Sequence, residues 1–154
     1  MASRKVTSLK PARVFAEVGG PVDESSATLA VYGRDLEPGK VTALIGVEPT
    51  NSFRRGFKRS PRSPAMPHGA WLFEVRGVAP DGPAVQIEAL LAKLPHSAHV
   101  WRELVEQYTV QLRVALHMQG LNKGFSLSKQ LTSRLAALGV DVEFDLYAYG
   151  EQDA

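Results

Sequence analysis

From Tyr108 to Met118 every second residue is apolar: Tyr108, Val110, Leu112, Val114, Leu116 and Met118, with Thr109, Gln111, Arg113, Ala115 and His117 between them. The pattern returns from Val140 to Leu146, where Val140, Val142, Phe144 and Leu146 alternate with Asp141, Glu143 and Asp145, and the run closes on Tyr147-Ala148-Tyr149. A strand turns successive side chains to opposite faces, so each run specifies a strand with one dry side and one wet side. Between them Leu127, Leu131, Leu135 and Leu138 form a stripe at helical spacing, behind a capping Ser126 and ahead of Gly139. Two such strands flanking an amphipathic helix point to a two-layer α+β domain, a mostly antiparallel sheet with helices packed on one face. With the two strands as neighbours, Arg113 and His117 share the wet face with Asp141, Glu143 and Asp145. Cross-strand pairs of opposite charge contribute a few tenths of a kcal/mol each and help to fix register.

The rest of the chain supplies more elements of the same kind. Arg13 to Val18 can form a short strand that Gly19-Gly20-Pro21 ends, and Ala27 to Tyr32 is a stronger one, rich in β-branched and aromatic residues. Pro38 suits a helix start, Val41, Leu44 and Ile45 share a face, and Gly46 suits a left-handed stop, so a helix of two turns is expected there. Ala70 to Val75 reads as a strand with Trp71, Phe73 and Val75 on one side. Pro83 opens a helix in which Ile87, Leu90, Leu91 and Leu94 follow the apolar stripe until Pro95. Ser97 can cap a second helix with Val100, Trp101, Leu104 and Val105 facing inward.

A chain of 154 residues fits one domain, with residues 1–10 as a flexible lead-in and 11–150 as the globular part. Hydrophobic residues at 44% and charged residues at 22% argue against wholesale disorder. No apolar run approaches the roughly 20 residues that span a bilayer, and no hydrophobic stretch follows Arg4-Lys5, so no membrane association is expected and the protein reads as cytoplasmic. With no cysteine the chain has no disulfide, thiolate metal site or cysteine nucleophile.

Net charge is only +2, but its distribution is uneven. Arg54, Arg55, Lys58, Arg59 and Arg62 crowd a stretch of residues 49–69 that also holds Pro49, Pro61, Pro64 and Pro67, and no acidic residue lies between Glu48 and Glu74. Neither helical nor alternating spacing survives there, so a long basic loop is expected; loops of that length in a compact domain are commonly functional. The C-terminal end is acidic, with Asp141, Glu143, Asp145, Glu151 and Asp153. Such asymmetry marks an electrostatic partner surface.

Several stretches together carry a family resemblance: Thr28-Leu29-Ala30-Val31-Tyr32, then Val41 through Thr50, then Gly56, Gly69-Ala70-Trp71-Leu72, Phe125-Ser126-Leu127-Ser128 and Phe144-Asp145-Leu146-Tyr147. In that order they resemble a bacterial family known as domain of unknown function four-two-seven-nine, over about residues 26 to 149. The resemblance implies a small α+β bacterial cytosolic protein, brings no catalytic residues with it, and suggests an immunity-type partner of another bacterial protein. The Pro- and Arg-rich stretch after Gly56 is more basic than the family pattern leads one to expect.

The candidate chemistry is sparse. Glu143 and Asp145 lie two apart on one strand face, so their carboxyls stand roughly 6–7 Å apart, a spacing shared with two-carboxylate glycosidases. Pairing with Arg113 is the plainer role, and Asp145 suits a structural hydrogen bond. His96 and His99 with Glu103 have a spacing that binds metal when the ligands converge, but histidines in a polar turn are usually solvated. Ser126-Leu127-Ser128-Lys129 has the Ser-x-x-Lys spacing of some acyl-transfer enzymes without their other motifs, and reads better as a capped helix start. No nucleophile elbow or phosphate-binding glycine loop is present, and no cofactor or metal is expected. The basic stretch interleaves with Phe53 and Phe57, a composition that can hold phosphates and stack bases, or dock an acidic protein surface, or simply anchor a solvated loop.

The sequence therefore reads as a non-catalytic binding protein, with another protein as its expected partner. Nucleic-acid binding through the basic loop is the alternative, and a hydrolase using the acidic strand comes third. The candidate binding residues are Arg54, Arg55, Lys58, Arg59, Arg62, Trp71, Arg113 and Asp145. Nothing in the chain demands an oligomer.

Overall fold

The computed structural model describes residues 20–120 and 122–150. The expected strand at Arg13–Val18 and the lead-in at 1–10 lie outside these residues. In chain order the elements are β1 (Glu24–Gly33), α1 (Pro38–Ile45), β2 (Asn51–Phe53), β3 (Gly69–Val78), α2 (Pro83–Lys93), α3 (Ala98–Gln107), β4 (Thr109–Gln119), α4 (Lys129–Ala137) and β5 (Asp141–Tyr149). The five strands form one open sheet in the order β2-β3-β1-β4-β5. All neighbours are antiparallel except β4 and β5, which run parallel. A parallel pair needs a long crossover, and the segment carrying α4 supplies it.

Register follows the dry faces. Leu29 on the central strand sits opposite Phe73 on one side and Leu112 on the other, and Val31 sits between Trp71 and Val110. These residues are all buried, so a one-residue slip would expose the whole set. The helices cover this side. In α1, Val41 and Ile45 turn inward and Gly46 closes the helix at φ 80°, its N–H donating to the Thr42 carbonyl at 2.7 Å. In α2, Ile87, Leu90 and Leu91 lie on β1 and β3. In α3, Trp101 and Leu104 are buried, while Val105, expected inside, is exposed and Val100 is half-buried. Both indoles find acceptors: Trp71 donates to the Thr42 hydroxyl at 3.0 Å and Trp101 to the Pro95 carbonyl at 2.9 Å. Buried indole N–H groups without such partners would be costly.

Three local expectations change. The cap of α4 is Ser128, whose hydroxyl accepts from the Leu131 N–H at 3.1 Å, rather than Ser126. Starting there leaves Leu127 just ahead of the helix, packed against the core, with Leu131 and Leu135 buried. The 49–69 stretch is not all loop, because Asn51–Phe53 pair with Ala70–Leu72 as a three-residue edge strand. The third change concerns β5, whose apolar side is only partly dry. Val142 is half-buried, Phe144 is 36% exposed and Leu146 is 64% exposed. As the outermost strand it packs on the core at Val142, near its start, and the Phe144 ring leans on Phe125 at 5.8 Å instead.

Two buried side-chain polar atoms go without a hydrogen bond among the described residues, the Ser25 hydroxyl and the Arg113 Nε. Ser25 on β1 is 1% exposed and its hydroxyl has no hydrogen-bond partner among the described residues. Removing an unsatisfied buried hydroxyl relieves its desolvation penalty. Ser25→Ala is therefore expected to leave stability unchanged or raise it by about 0.5–1 kcal/mol. A loss of more than that amount in urea unfolding would show that the hydroxyl has a partner after all.

Candidate binding site on the open sheet face

The uncovered side of the sheet forms a shallow trough. Its floor is made of short side chains, Ser26 and Thr28 on β1 and Ala115 on β4. Leu72 and Glu74 on β3 rise on one side, with Thr50 and Asn51 beyond them; Arg113, Asp145 and Tyr147 rise on the other. The central hollow holds about 260 Å³. It continues past Arg76 and His117 into a smaller one of about 170 Å³. In the opposite direction, past Arg113 and Leu72, it opens into one of about 640 Å³ under the basic loop. Thr50 fixes the β2 wall, donating to the Leu72 carbonyl at 3.1 Å while accepting from the Glu74 N–H at 3.2 Å.

Arg113 is the hub of this face. The parallel register puts it opposite Glu143, one step from Asp145. Its guanidinium donates to the Asp145 carboxylate at 3.1 Å and to the Tyr32 hydroxyl at 3.3 Å, with Glu143 at 3.7 Å. Glu143 also accepts from the Gln111 amide at 3.2 Å. The Tyr32 hydrogen bond and the Asp145 carboxylate, working against partial burial, push the Arg113 pKa above its ordinary value. A permanent cation therefore stands in mid-trough. The two carboxylates that resemble a glycosidase pair are both paired with it. His117, four residues along β4, stacks on Tyr147 at 4.7 Å and meets the Tyr149 hydroxyl at 3.3 Å. Arg76 pairs with Glu74 at 3.0 Å, which raises the Arg76 pKa through that hydrogen bond and charge.

The basic loop has a defined shape. Gly56 donates to the Met66 carbonyl at 2.8 Å and Met66 donates back to the Phe57 carbonyl at 2.7 Å, which closes the loop on itself. Gly56 does so at φ 87°, a conformation that suits glycine. Phe53 and Phe57 stack on each other at 5.5 Å, and Ser60 meets Ser63 through their hydroxyls at 2.8 Å. Arg54, Arg55, Lys58, Arg59 and Arg62 are all exposed. Among the described residues only Arg55 of these five has an acidic partner, Asp35 at 3.0 Å.

Of the residues singled out from sequence, the structure brings Arg113 and Asp145 together and sets Arg59 at the edge of the same trough. Arg54, Arg55, Lys58 and Arg62 project from the loop, outside the residues lining the trough. Trp71 is a correction. It is fully buried on the helix-covered side, beside Phe73, and cannot meet a partner. Strand alternation decides this, since Leu72 and Glu74 occupy the open face. Among the described residues no three His, Asp or Glu side chains converge as a metal site; His99 lies 3.7 Å from Glu103 on one face of α3. Sequence reasoning missed Tyr32, Arg34, His68 and Tyr147. His68 meets the Tyr32 ring edge-on at 5.5 Å, across residues far apart in the chain. Only the alternation of β1, which puts Tyr32 opposite Leu29 and Val31, signalled that it faced outward.

Among the described residues no helix is long and apolar enough to cross a membrane. No curated protein and no solved structure matches the chain. A family model does match residues 23–149, a span that contains all five strands and all four helices. The chain belongs to the family described as Domain of unknown function (DUF4279).

Proposed function

We propose that this protein is a non-catalytic binding protein that docks an acidic surface of another protein against its basic loop and open sheet face. The observation that carries the reading is the ordered loop with five exposed cations, of which only Arg55 is neutralised by a described residue. Cations held in place without partners are poised for an anionic surface, and they act chiefly on encounter rate and specificity. The trough alongside is polar and open, as a rim-and-groove interface requires. An immunity-type role, binding and blocking a bacterial toxin, is the specific form of this reading that the family resemblance suggests.

The test changes Arg54, Arg55, Lys58 and Arg59 together to Ala in the full chain. Capture of the native partner from nuclease-treated extract at low salt is expected to fall at least roughly tenfold. Undiminished capture by this variant would end the docking role of the loop. Nucleic-acid binding gives a different outcome: a gel shift that weakens steeply with salt and disappears in the same variant.

A further inference from the structure

The largest hollow on the open face differs in chemistry from the rest of the trough. It lies between the end of β1 and the basic loop and encloses about 640 Å³, within the range of small-molecule sites. Arg34, Arg59 and Arg113 line it, and no carboxylate does. One of the three guanidiniums is neutralised at its far side, where Arg113 meets Asp145 at 3.1 Å. Arg34 and Arg59 have no acidic partner among the described residues. About two positive charges are left facing one cavity.

Its donors are partly unspent. The Tyr32 oxygen accepts from Arg113 at 3.3 Å, which leaves the phenolic proton free to donate. The Arg113 Nε–H makes no hydrogen bond among the described residues, with the Glu143 carboxylate 3.7 Å away. The remaining wall is apolar or aromatic, from Phe53, Met66, Leu72 and the Tyr32 and His68 rings. Two surplus cations with fork-shaped donors match a dianion, and flat apolar walls match a ring.

We infer that this hollow is a binding site for a small aromatic phosphate monoester, the phosphate held by Arg34, Arg59 and Arg113 with the Tyr32 hydroxyl, and the ring lodged against Phe53 and Met66. A phosphate monoester carries about −1.5 to −2 charges at neutral pH, the charge the site lacks. The site shares Arg59 with the proposed docking surface but does not rest on that reading, since Arg34, Arg113 and Tyr32 lie outside the loop.

The test uses the full-length protein with phenyl phosphate, a nucleoside 5′-monophosphate, inorganic phosphate and the unphosphorylated nucleoside, followed by calorimetry at physiological salt. Phenyl phosphate or the nucleotide is expected to bind at least tenfold more tightly than inorganic phosphate, and the nucleoside not at all. Arg34→Ala with Arg59→Ala is expected to weaken binding at least tenfold, while Arg54→Ala with Lys58→Ala, outside the hollow, leaves it within about twofold. All four side chains are exposed, so circular dichroism should confirm that both variants fold. Three results would overturn the inference: no binding of either aromatic phosphate at millimolar concentration, inorganic phosphate binding as tightly as they do, or equal losses in the two double variants.

Discussion

Trp71→Ala is expected to lower the stability of the fold by about 3–5 kcal/mol, the largest loss of any single truncation considered for this chain. Three contributions add. The indole is fully buried between Val31 and the α1 helix, so its removal opens a cavity under the centre of the sheet. It forfeits the contact with Phe73 at 6.4 Å, and it leaves the Thr42 hydroxyl without its donor at 3.0 Å. For a chain of this size the melting temperature should fall by roughly 6–20 °C. Trp71→Phe keeps most of the volume and loses mainly the hydrogen bond, so a cost nearer 1–2 kcal/mol is expected. Thermal and urea unfolding of the two variants measure both figures. If Trp71→Ala unfolds within about 1 kcal/mol of the wild type, the indole is not part of the core and the face assignment of β3 is wrong. Partner capture by Trp71→Phe should be undisturbed, because the ring never reaches the open side.

The same residue shows what the sequence made legible and what it hid. Period-two alternation identified the dry faces of β3 and β4 correctly, because these inner strands pack against helices and burial enforces the pattern. On β5 the alternation overstated burial. Val142, Phe144 and Leu146 obey the spacing, yet on this outermost strand only Val142 packs on the core, so spacing predicted a side and not a depth. Helix ends marked by Pro38, Gly46 and Pro83 were readable because those residues act through their own backbone geometry. The choice between Ser126 and Ser128 as a cap was not, since both offer the same hydroxyl and the inward phase of Leu131 and Leu135 decides. At the site, charge pairing across β4 and β5 could be anticipated from alternation alone. The hollow beneath the loop could not, because it depends on Arg34, Arg59 and Arg113 converging from three separate segments. Trp71 was a candidate binding residue although it shares its side of β3 with Phe73 and Val75, and that side is the one the helices cover.

Gly69→Ala is the second large effect expected, and it connects the fold to the loop. Gly69 begins β3 opposite Gly33, at the point where the chain leaving β1 folds back over the strand end. A Cβ there would lie 2.8 Å from the Leu36 carbonyl oxygen and 3.2 Å from that of Phe53. Both are backbone atoms, so neither can swing aside, and Leu36 is itself buried at 2% exposure. Overpacking of this kind costs about 1–3 kcal/mol. Gly33→Ala provides the comparison. Its added Cβ would meet the Tyr108 ring at 2.8 Å, and that ring is half-buried and free to turn, so the smaller loss is expected there. The distinctive consequence of Gly69→Ala concerns Phe53, which must retreat from the new methyl group. Phe53 ends β2, stacks on Phe57 and lines the hollow beneath the loop, so its displacement carries the root of the basic loop with it. Amide chemical shifts from Asn51 to Phe57 should move in Gly69→Ala and stay in place in Gly33→Ala. Equal stability of the two variants, or unmoved signals at Phe53, would mean that Gly69 does not set the position of the loop.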